Sequence, residues 1–199
     1  MSRELAWALV TIVAWVSTGL ATRGGSIHVP LAGVSAALLL GAVVLERARL
    51  VPLLDLRLRE VWVGVLGGAA LAALTRLGYA ASIMVVPGLA APVAELYAAM
   101  RTAPSLALTV PLLLLIIACE EVVWRGLLVR DTRTCVLSAL GYTVAQAGAP
   151  SPLLMVIALG FGLVWGAQRL WRGGLLAVYL THVVWNLATL VYWPLDQPL

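Results

Sequence analysis

The sequence has no lysine, few cysteines and few charged side chains of either sign. All 13 basic residues are arginines, and charged residues make up 11% of the 199 positions, against about 25% in ordinary soluble domains. Hydrophobic residues make up 62%. This composition excludes an ordinary soluble domain. The two cysteines, Cys119 and Cys135, lie in or near apolar runs, so a disulfide framework is not expected.

The apolar runs do not alternate with a period of two residues, which excludes a transmembrane β-barrel. A helix needs about 20 residues to cross the hydrocarbon layer. Seven runs approach that length: 6–22, 29–45, 61–83, 105–127, 134–150, 152–169 and 174–193. We therefore predict an all-α, polytopic membrane protein with about seven transmembrane helices and a single membrane domain over residues 1–199. The first run follows Arg3 and could be taken for a signal peptide, but the later runs favour a retained signal anchor.

The arginines predict the orientation of these helices. If the N-terminus and the even-numbered connections share one side, that side holds nine arginines: Arg3, Arg47, Arg49, Arg57, Arg59, Arg130, Arg133, Arg169 and Arg172. The opposite side holds Arg23 and Arg101. This bias predicts a protein of the cell (inner) membrane with a cytoplasmic N-terminus and an outer C-terminus. The net charge of +4 then reflects topology, and no nucleic-acid partner is expected.

Two connections have a composition of their own. Residues 47–60 alternate basic and aliphatic side chains, which favours a segment in the cytoplasmic interface. Residues 87–104 contain Glu95 and Arg101 and are typical of a short amphipathic helix or re-entrant stretch on the outer side.

Two adjacent carboxylates, Glu120 and Glu121, follow an uncharged apolar run in the fourth predicted helix. Placing an ionised side chain at this depth costs several kcal/mol, ~3 at the low end, so two of them need compensation. Arg125 lies four residues after Glu121 on the same helix face and can neutralise it. Glu120 is rotated by about 100° from Glu121 and can point into a cavity. A carboxylate in such surroundings is suited to act as a general base.

His182 and Asn186 lie four residues apart on one face of the last predicted helix. Glu120 is ten residues before Arg130, and His182 is ten residues after Arg172. At ~1.5 Å per residue, both lie about 15 Å from the cytoplasmic side. We therefore expect carboxylate, imidazole and amide at one level of the bilayer, as in a reaction site.

Structural roles compete with these functional ones. Glu121 and Arg125 are interpreted mainly as a pair that stabilises helix packing, whereas Glu120 has no cation of its own nearby in sequence. His182, Asn186 and Gln146 could each serve as interhelical hydrogen bonders. Cys119, His182 and Asn186 are the residue types of a papain-like triad. Cys119 is adjacent to Glu120, however, so only one of the two can face His182, and Cys119 is interpreted as a packing residue. The tryptophans of the last two helices are interpreted as interface and packing residues: Trp165, Trp171, Trp185 and Trp193.

The motif Glu120-Glu121-x-x-x-Arg125, followed by His182-x-x-x-Asn186, resembles the CAAX protease and bacteriocin-processing family of intramembrane proteases, the type II CAAX prenyl endopeptidase-like or ABI family. The resemblance covers about residues 105–193. It implies that Glu120 activates the attacking water and that Glu121 pairs with Arg125. It also implies that His182 and Asn186 bind or polarise the substrate carbonyl.

One family element differs in this sequence. Between the two motifs, the family carries an aromatic residue followed four positions later by histidine. The corresponding stretch here is Tyr142-Thr-Val-Ala-Gln146, with Gln146 in place of the histidine. One histidine with carboxylates and amides is a poor zinc site. The sequence therefore favours a glutamate mechanism with no metal or other cofactor, with Gln146 as a substrate-binding residue; a divalent metal such as zinc is the disfavoured option.

We thus expect an intramembrane endopeptidase that acts on membrane-anchored or lipidated proteins within the lipid bilayer. One narrower possibility is removal of C-terminal sorting tails from exported proteins. The alternatives are a catalytically degenerate member that acts as a membrane-binding partner or immunity protein, and a small-solute transporter. A transporter would be expected to show inverted repeats, and the sequence has no recognisable repeat.

Overall fold

The computed structural model describes residues 2–23, 25–54, 56–101, 105–149 and 151–197. Their secondary structure is helical and comprises these elements: α1 Arg3–Ala21, α2 His28–Leu45, α3 Arg47–Leu50, α4 Leu58–Val85, α5 Ala90–Met100, α6 Leu106–Glu120, α7 Thr132–Ala145, α8 Leu153–Arg172 and α9 Leu176–Asn186. Helix α6 continues as a π-helix over Glu121–Leu127, and α9 continues as a π-helix over Leu187–Tyr192.

Five helices of the described residues are long and apolar enough to cross a membrane. They are Arg3–Ala21, His28–Leu45, Leu58–Val85, Ala107–Leu127 and Leu153–Arg172. The all-α prediction is confirmed, but the number of about seven spans is not. The predicted span 134–150 corresponds to α7, which has 14 residues, and position 150 lies outside the described residues. The predicted span 174–193 corresponds to the shorter apolar helix Leu176–Tyr192.

Local sequence signals set several helix ends. Asp131 accepts from the Thr134 N–H at 2.8 Å, and the Thr134 side chain in turn accepts from the Asp131 N–H, which forms a capping box at the start of α7. Gly173 ends α8 with a φ of 75°, a left-handed conformation that glycine adopts without a Cβ clash. The chain then turns directly into α9.

Helix α4 packs closely against α9 through glycine. A Cβ on Gly64 would lie 2.6 Å from Leu180 Cβ, and one on Gly68 would lie 2.6 Å from Val184 Cβ. These contacts bring the two helix backbones together, as small residues do in membrane proteins. Helices α7 and α8, and α2 and α6, form the other main pairs. The buried core between them contains Trp15, Trp124, Trp165, Trp185 and Tyr142.

Ion pairs gather at the two ends of the helix bundle. At one end, Glu4 pairs with Arg49 and Arg130, each at 3.2 Å, and Glu60 pairs with Arg172. At the other end, Arg101 pairs with Asp196 at 2.5 Å. Arg49, Arg130 and Arg172, which the sequence assigns to one side, thus lie at one end of the bundle, and Arg101, which it assigns to the opposite side, lies at the other.

The two connections with a composition of their own, residues 47–60 and 87–104, contain short helical segments. Residues 47–60 contain α3 and a 3₁₀ turn, Val51–Leu53, before α4 begins; position 55 lies outside the described residues. The predicted short helix within 87–104 is α5, which buries Val93, Leu96 and Tyr97 on one face and exposes Glu95. Positions 102–104 lie outside the described residues.

Candidate active site

A cavity of about 360 Å³ lies inside the bundle. Its wall is largely apolar and includes Trp15, Leu96, Ile117, Ile157 and Phe161. Five polar residues of the candidate site also line it: Glu120, Tyr142, Gln146, His182 and Asn186. The carboxylate, imidazole and amide that the sequence predicts at one depth, those of Glu120, His182 and Asn186, thus share one chamber with Gln146.

Glu121, Arg125 and His182 form a buried polar cluster behind this wall. The Nδ1 atom of His182 lies 2.7 Å from Oε1 of Glu121, and Nη1 of Arg125 lies 3.5 Å from the same oxygen. All three side chains are at most 2% exposed. Because a carboxylate accepts hydrogen bonds, Nδ1 of His182 is the donor in this contact. Glu121 therefore fixes the ring of His182 as well as pairing with Arg125, and only the second of these contacts was predicted.

Glu120 occupies the cavity side of the same helix. Its Oε2 lies 3.5 Å from Nε2 of His182, too far for a direct hydrogen bond. The phenol of Tyr142 faces its carboxylate. Each nitrogen of the His182 ring is thus directed at a different glutamate, and Nε2 faces the chamber that Glu120 lines.

Aromatic rings pack against His182 and Arg125. Trp165 stacks on the His182 ring with a centroid distance of 3.5 Å and an interplanar angle of 23°. The guanidinium of Arg125 lies 4.6 Å from the ring centroid of Tyr142 and 5.2 Å from that of Trp165. Cation–π contacts of this kind stabilise a cation that has left water. Trp165 therefore supports the site directly.

The tryptophans divide into two groups. Trp171 and Trp193 are 71% and 58% exposed, in keeping with an interface role. Trp165 and Trp185 are 1% and 7% exposed. For these two the packing interpretation is confirmed, because their helix faces turn toward the core rather than toward lipid.

Both site helices change geometry at the site. Helix α6 becomes a π-helix at Glu121, directly after Glu120, and α9 becomes a π-helix at Leu187, directly after Asn186. Short π segments cost stability and occur frequently at functional sites. Their position beside Glu120 and Asn186 agrees with the prediction of a functional site here.

Gln146 and Asn186 supply the amides of the chamber. Gln146 opens the 3₁₀ turn Gln146–Gly148 at the end of α7 and is half-buried. Asn186, the last residue of α9, is 6% exposed.

Cys119 is fully buried in the apolar core and is a free cysteine, which agrees with its interpretation as a packing residue.

The donor set does not fit a catalytic zinc ion. Among the described residues, no group of three or more His, Cys, Asp or Glu side chains is arranged to hold a metal. The His182 ring is already directed at two carboxylates, at 2.7 Å and 3.5 Å. Zinc favours three nitrogen, sulfur or carboxylate ligands around an open position, and Gln146 supplies an amide where the family histidine would be.

Two site residues were not singled out from the sequence. Tyr142 was noted only as the aromatic member of the stretch ending at Gln146, and its hydroxyl now faces Glu120. Trp165 was interpreted as an interface or packing residue. The four-residue spacing between Tyr142 and Gln146 could have identified Tyr142 as a site residue from the sequence. The contact of Trp165 with His182 depends on how α8 packs against α9, which spacing along the chain does not specify.

A comparison with protein-family models matches residues 101–188 to the type II CAAX prenyl endopeptidase Rce1-like family. Searches of curated proteins and of solved structures find no significant match. The matched range contains α6 with Glu120, Glu121 and Arg125, and α9 with His182 and Asn186. The match supports membership of this region in the CAAX protease and bacteriocin-processing family of membrane proteases.

Proposed function

We propose that this protein is an intramembrane endopeptidase in which Glu120 activates the attacking water. The observation that carries the proposal is the position of Glu120, which lines an apolar cavity with its carboxylate 3.5 Å from Nε2 of His182. The match of residues 101–188 to a protease family supports the same reaction class.

In the proposed reaction, Glu120 takes a proton from water as the water oxygen attacks the carbonyl carbon of the scissile peptide. A tetrahedral intermediate forms with a negative charge on the former carbonyl oxygen. When the C–N bond breaks, the protonated Glu120 returns its proton to the leaving nitrogen. The base is regenerated, and no atom outside the peptide and one water is consumed.

Three side chains on the chamber wall are suited to stabilise the oxyanion: His182, Asn186 and Gln146. The two amides donate hydrogen bonds in every protonation state, and His182 donates from Nε2 when that nitrogen carries a proton. Donors fixed in a low-dielectric site are worth more than the same donors in water. The contact with Glu121 and the stack on Trp165 hold His182 in the required orientation.

We propose a metal-free mechanism for this chain. The residues that could bind a divalent ion include one histidine, and its two nitrogens are directed at Glu120 and Glu121. A carboxylate base and amide donors perform hydrolysis without a Lewis acid. These contacts support glutamic rather than metallo-type catalysis.

The proposed substrate is a membrane-anchored or lipidated protein, cut near its anchor. The largely apolar wall of the cavity suits an apolar segment, and the five helices that are long and apolar enough to cross a membrane support a chamber within the bilayer. C-terminal sorting tails of exported proteins are one substrate class of this kind.

In the second candidate function, a degenerate member binds the same segments without cutting them, which the substitution of Gln146 for the family histidine favours.

The test is Glu120→Gln, assayed on a panel of membrane-anchored reporter proteins in cells and with purified protein. The amide keeps the shape of the side chain but cannot accept the proton of water, so cleavage should fall to background while the protein remains folded. Glu95→Gln, the same change at an exposed position on α5, is the control and should cleave at the parent rate. Cleavage by Glu120→Gln near the parent rate would refute the general base. Stable binding of reporters without cleavage by the parent would favour the degenerate function.

A second arm of the test addresses metal. Strong chelators should leave the rate unchanged, and elemental analysis of the purified protein should find no stoichiometric zinc. One zinc per chain, lost together with activity on chelation, would contradict the metal-free mechanism.

A further inference from the structure

The end of the site helix α9 is held from outside by a tyrosine of α5. The hydroxyl of Tyr97 donates to the main-chain carbonyl of Thr189 at 2.6 Å, and both groups are buried. Thr189 lies in the π-helix Leu187–Tyr192, three residues after Asn186. This contact joins residues 92 positions apart in sequence.

The sequence explains why this carbonyl needs a side-chain donor. In the π segment, the Trp193 N–H donates to the Ala188 carbonyl, five residues back, at 2.8 Å. The next donor of that series would be the N–H of residue 194, which would reach the Thr189 carbonyl. Residue 194 is proline and has no N–H. A buried carbonyl without a partner is costly, and Tyr97 supplies the missing donor.

Other polar contacts fix α5 and the chain that follows the π segment. Nε2 of His28 donates to the Met100 carbonyl at 2.9 Å, and Arg101 pairs with Asp196 at 2.5 Å. Arg76 of α4 donates to the carbonyls of Trp193 and Pro194 at 3.2 and 3.1 Å. Tyr97 is therefore presented to Thr189 from an anchored helix.

We propose that Tyr97 is a positioning residue for catalysis, which holds α9 so that His182 and Asn186 face Glu120. The proposal rests on the proposed function above. Tyr97 contacts the π-helix that begins one residue after Asn186, and through this contact it fixes the positions of the His182 and Asn186 side chains. The proposal also gives a role to α5, whose Leu96 and Tyr97 line one side of the chamber.

The contact persists over the working pH range. Burial raises the pKa of Tyr97 to about 12, so the hydroxyl keeps its proton and remains a donor at any lower pH. Even an unperturbed tyrosine, with a pKa of about 10, is neutral between about pH 5 and 9. The hydrogen bond of Tyr97 should therefore add no inflection to the pH profile of cleavage in this range.

The test is Tyr97→Phe, which removes the hydroxyl and keeps the ring. A displacement of about 1 Å at a catalytic group costs up to about 100-fold, so we expect kcat to fall about 10- to 100-fold while KM stays within about twofold. Tyr192→Phe removes an exposed hydroxyl from the same π segment and is the matched control, with parent kinetics expected. A folded Tyr97→Phe protein with the parent kcat would overturn the proposal.

Hydrogen exchange separates this proposal from the proposed function. The amides of residues 187–193 should exchange faster in Tyr97→Phe than in the parent and in Tyr192→Phe. If the parent cleaves nothing, the proposed function fails, while exchange still reports whether Tyr97 holds the helix. Unchanged exchange in this segment would overturn the positioning role.

A second substitution makes the test independent of folding losses. Pro194→Ala restores an N–H at position 194 and frees Trp193 from the restriction that a following proline imposes. We expect Tyr97→Phe to lose thermal stability as well as kcat. Pro194→Ala, added to Tyr97→Phe, should recover at least part of both, because the Thr189 carbonyl regains a main-chain donor. A double variant that recovers neither would overturn the explanation.

Discussion

Arg125 has the most demanding environment of any single residue at the site. Its side chain is 1% exposed, pairs with Glu121 and lies between the rings of Tyr142 and Trp165. Bringing a guanidinium into such surroundings is costly unless its charge is balanced. Glu121 and Arg125 therefore each offset the free-energy cost of burying the charge of the other.

We predict that Arg125→Met destabilises the protein by about 3–5 kcal/mol, because it leaves the buried charge of Glu121 unbalanced. Methionine fills much of the space between the two rings, so the loss reports mainly on charge. The double variant Glu121→Gln/Arg125→Met should regain part of this stability, since glutamine removes the charge and keeps an acceptor for His182. Thermal unfolding of the purified proteins measures both. A double variant less stable than Arg125→Met alone would contradict this account.

Single-residue spacing predicted part of the site but not all of it. The distances of Glu120 from Arg130 and of His182 from Arg172 along the sequence predicted that the two residues lie at one depth, and the structure brings them within 3.5 Å. The pairing of Glu121 with Arg125 followed from their separation of four residues. The hydrogen bond from His182 to Glu121 did not, because it depends on the rotation of α9 about its axis. The catalytic roles of these residues stay predictions.

At the scale of helices, the contact of α4 with α9 determines where the catalytic side chains lie. A Cβ on Gly68 would lie 2.6 Å from Val184 Cβ and 2.8 Å from the Thr181 carbonyl. These two residues flank His182 in sequence. Since the second contact is with main chain, no side-chain movement can relieve it, and one of the two helices would have to shift relative to the other.

We predict that Gly68→Ala lowers stability by about 1–3 kcal/mol, the usual range for overpacking, and lowers kcat by displacing His182. Gly78→Ala lies in the same helix, with nothing within 4 Å of the added Cβ, and is the control. Replacing this open helical glycine should be neutral or slightly stabilising, by about 0.5–1 kcal/mol. Thermal unfolding and cleavage assays on both variants measure the difference. Equal behaviour of the two variants would show that the α4–α9 contact does not position the site.

Helix type was predictable from apolar runs, whereas helix length and local geometry were less so. The runs predicted α1, α2, α4, α6 and α8 within a few residues. Helix α7 ends sooner than its run suggests because Gln146 turns the chain into a 3₁₀ segment. The π segments after Glu120 and Asn186 leave no mark in the hydrophobic pattern, and the second of them is contacted by Tyr97, which is 92 positions away from Thr189 in sequence.

At the scale of the whole molecule, charge separates the two ends of the bundle. Glu4, Arg49 and Arg130 meet at one end, and Arg101 meets Asp196 at the other. Nine of the 13 arginines fall on the first side by sequence. Membrane proteins retain arginine-rich connections in the cytoplasm, so we propose that the end with Glu4 faces the cytoplasm and the end with Asp196 faces outward.

Cysteine labelling in intact cells measures this orientation directly. The two native cysteines are buried, so an introduced cysteine provides the signal. Thr132→Cys, at the exposed start of α7, should react with a membrane-impermeant maleimide only after the cells are opened. Gln197→Cys, at an exposed position after the last helix, should react in intact cells. Because both variants change one exposed neutral side chain, they control for each other. The reverse pattern would invert the topology, and labelling of both positions in intact cells would mean that the chain between them does not cross the bilayer an odd number of times.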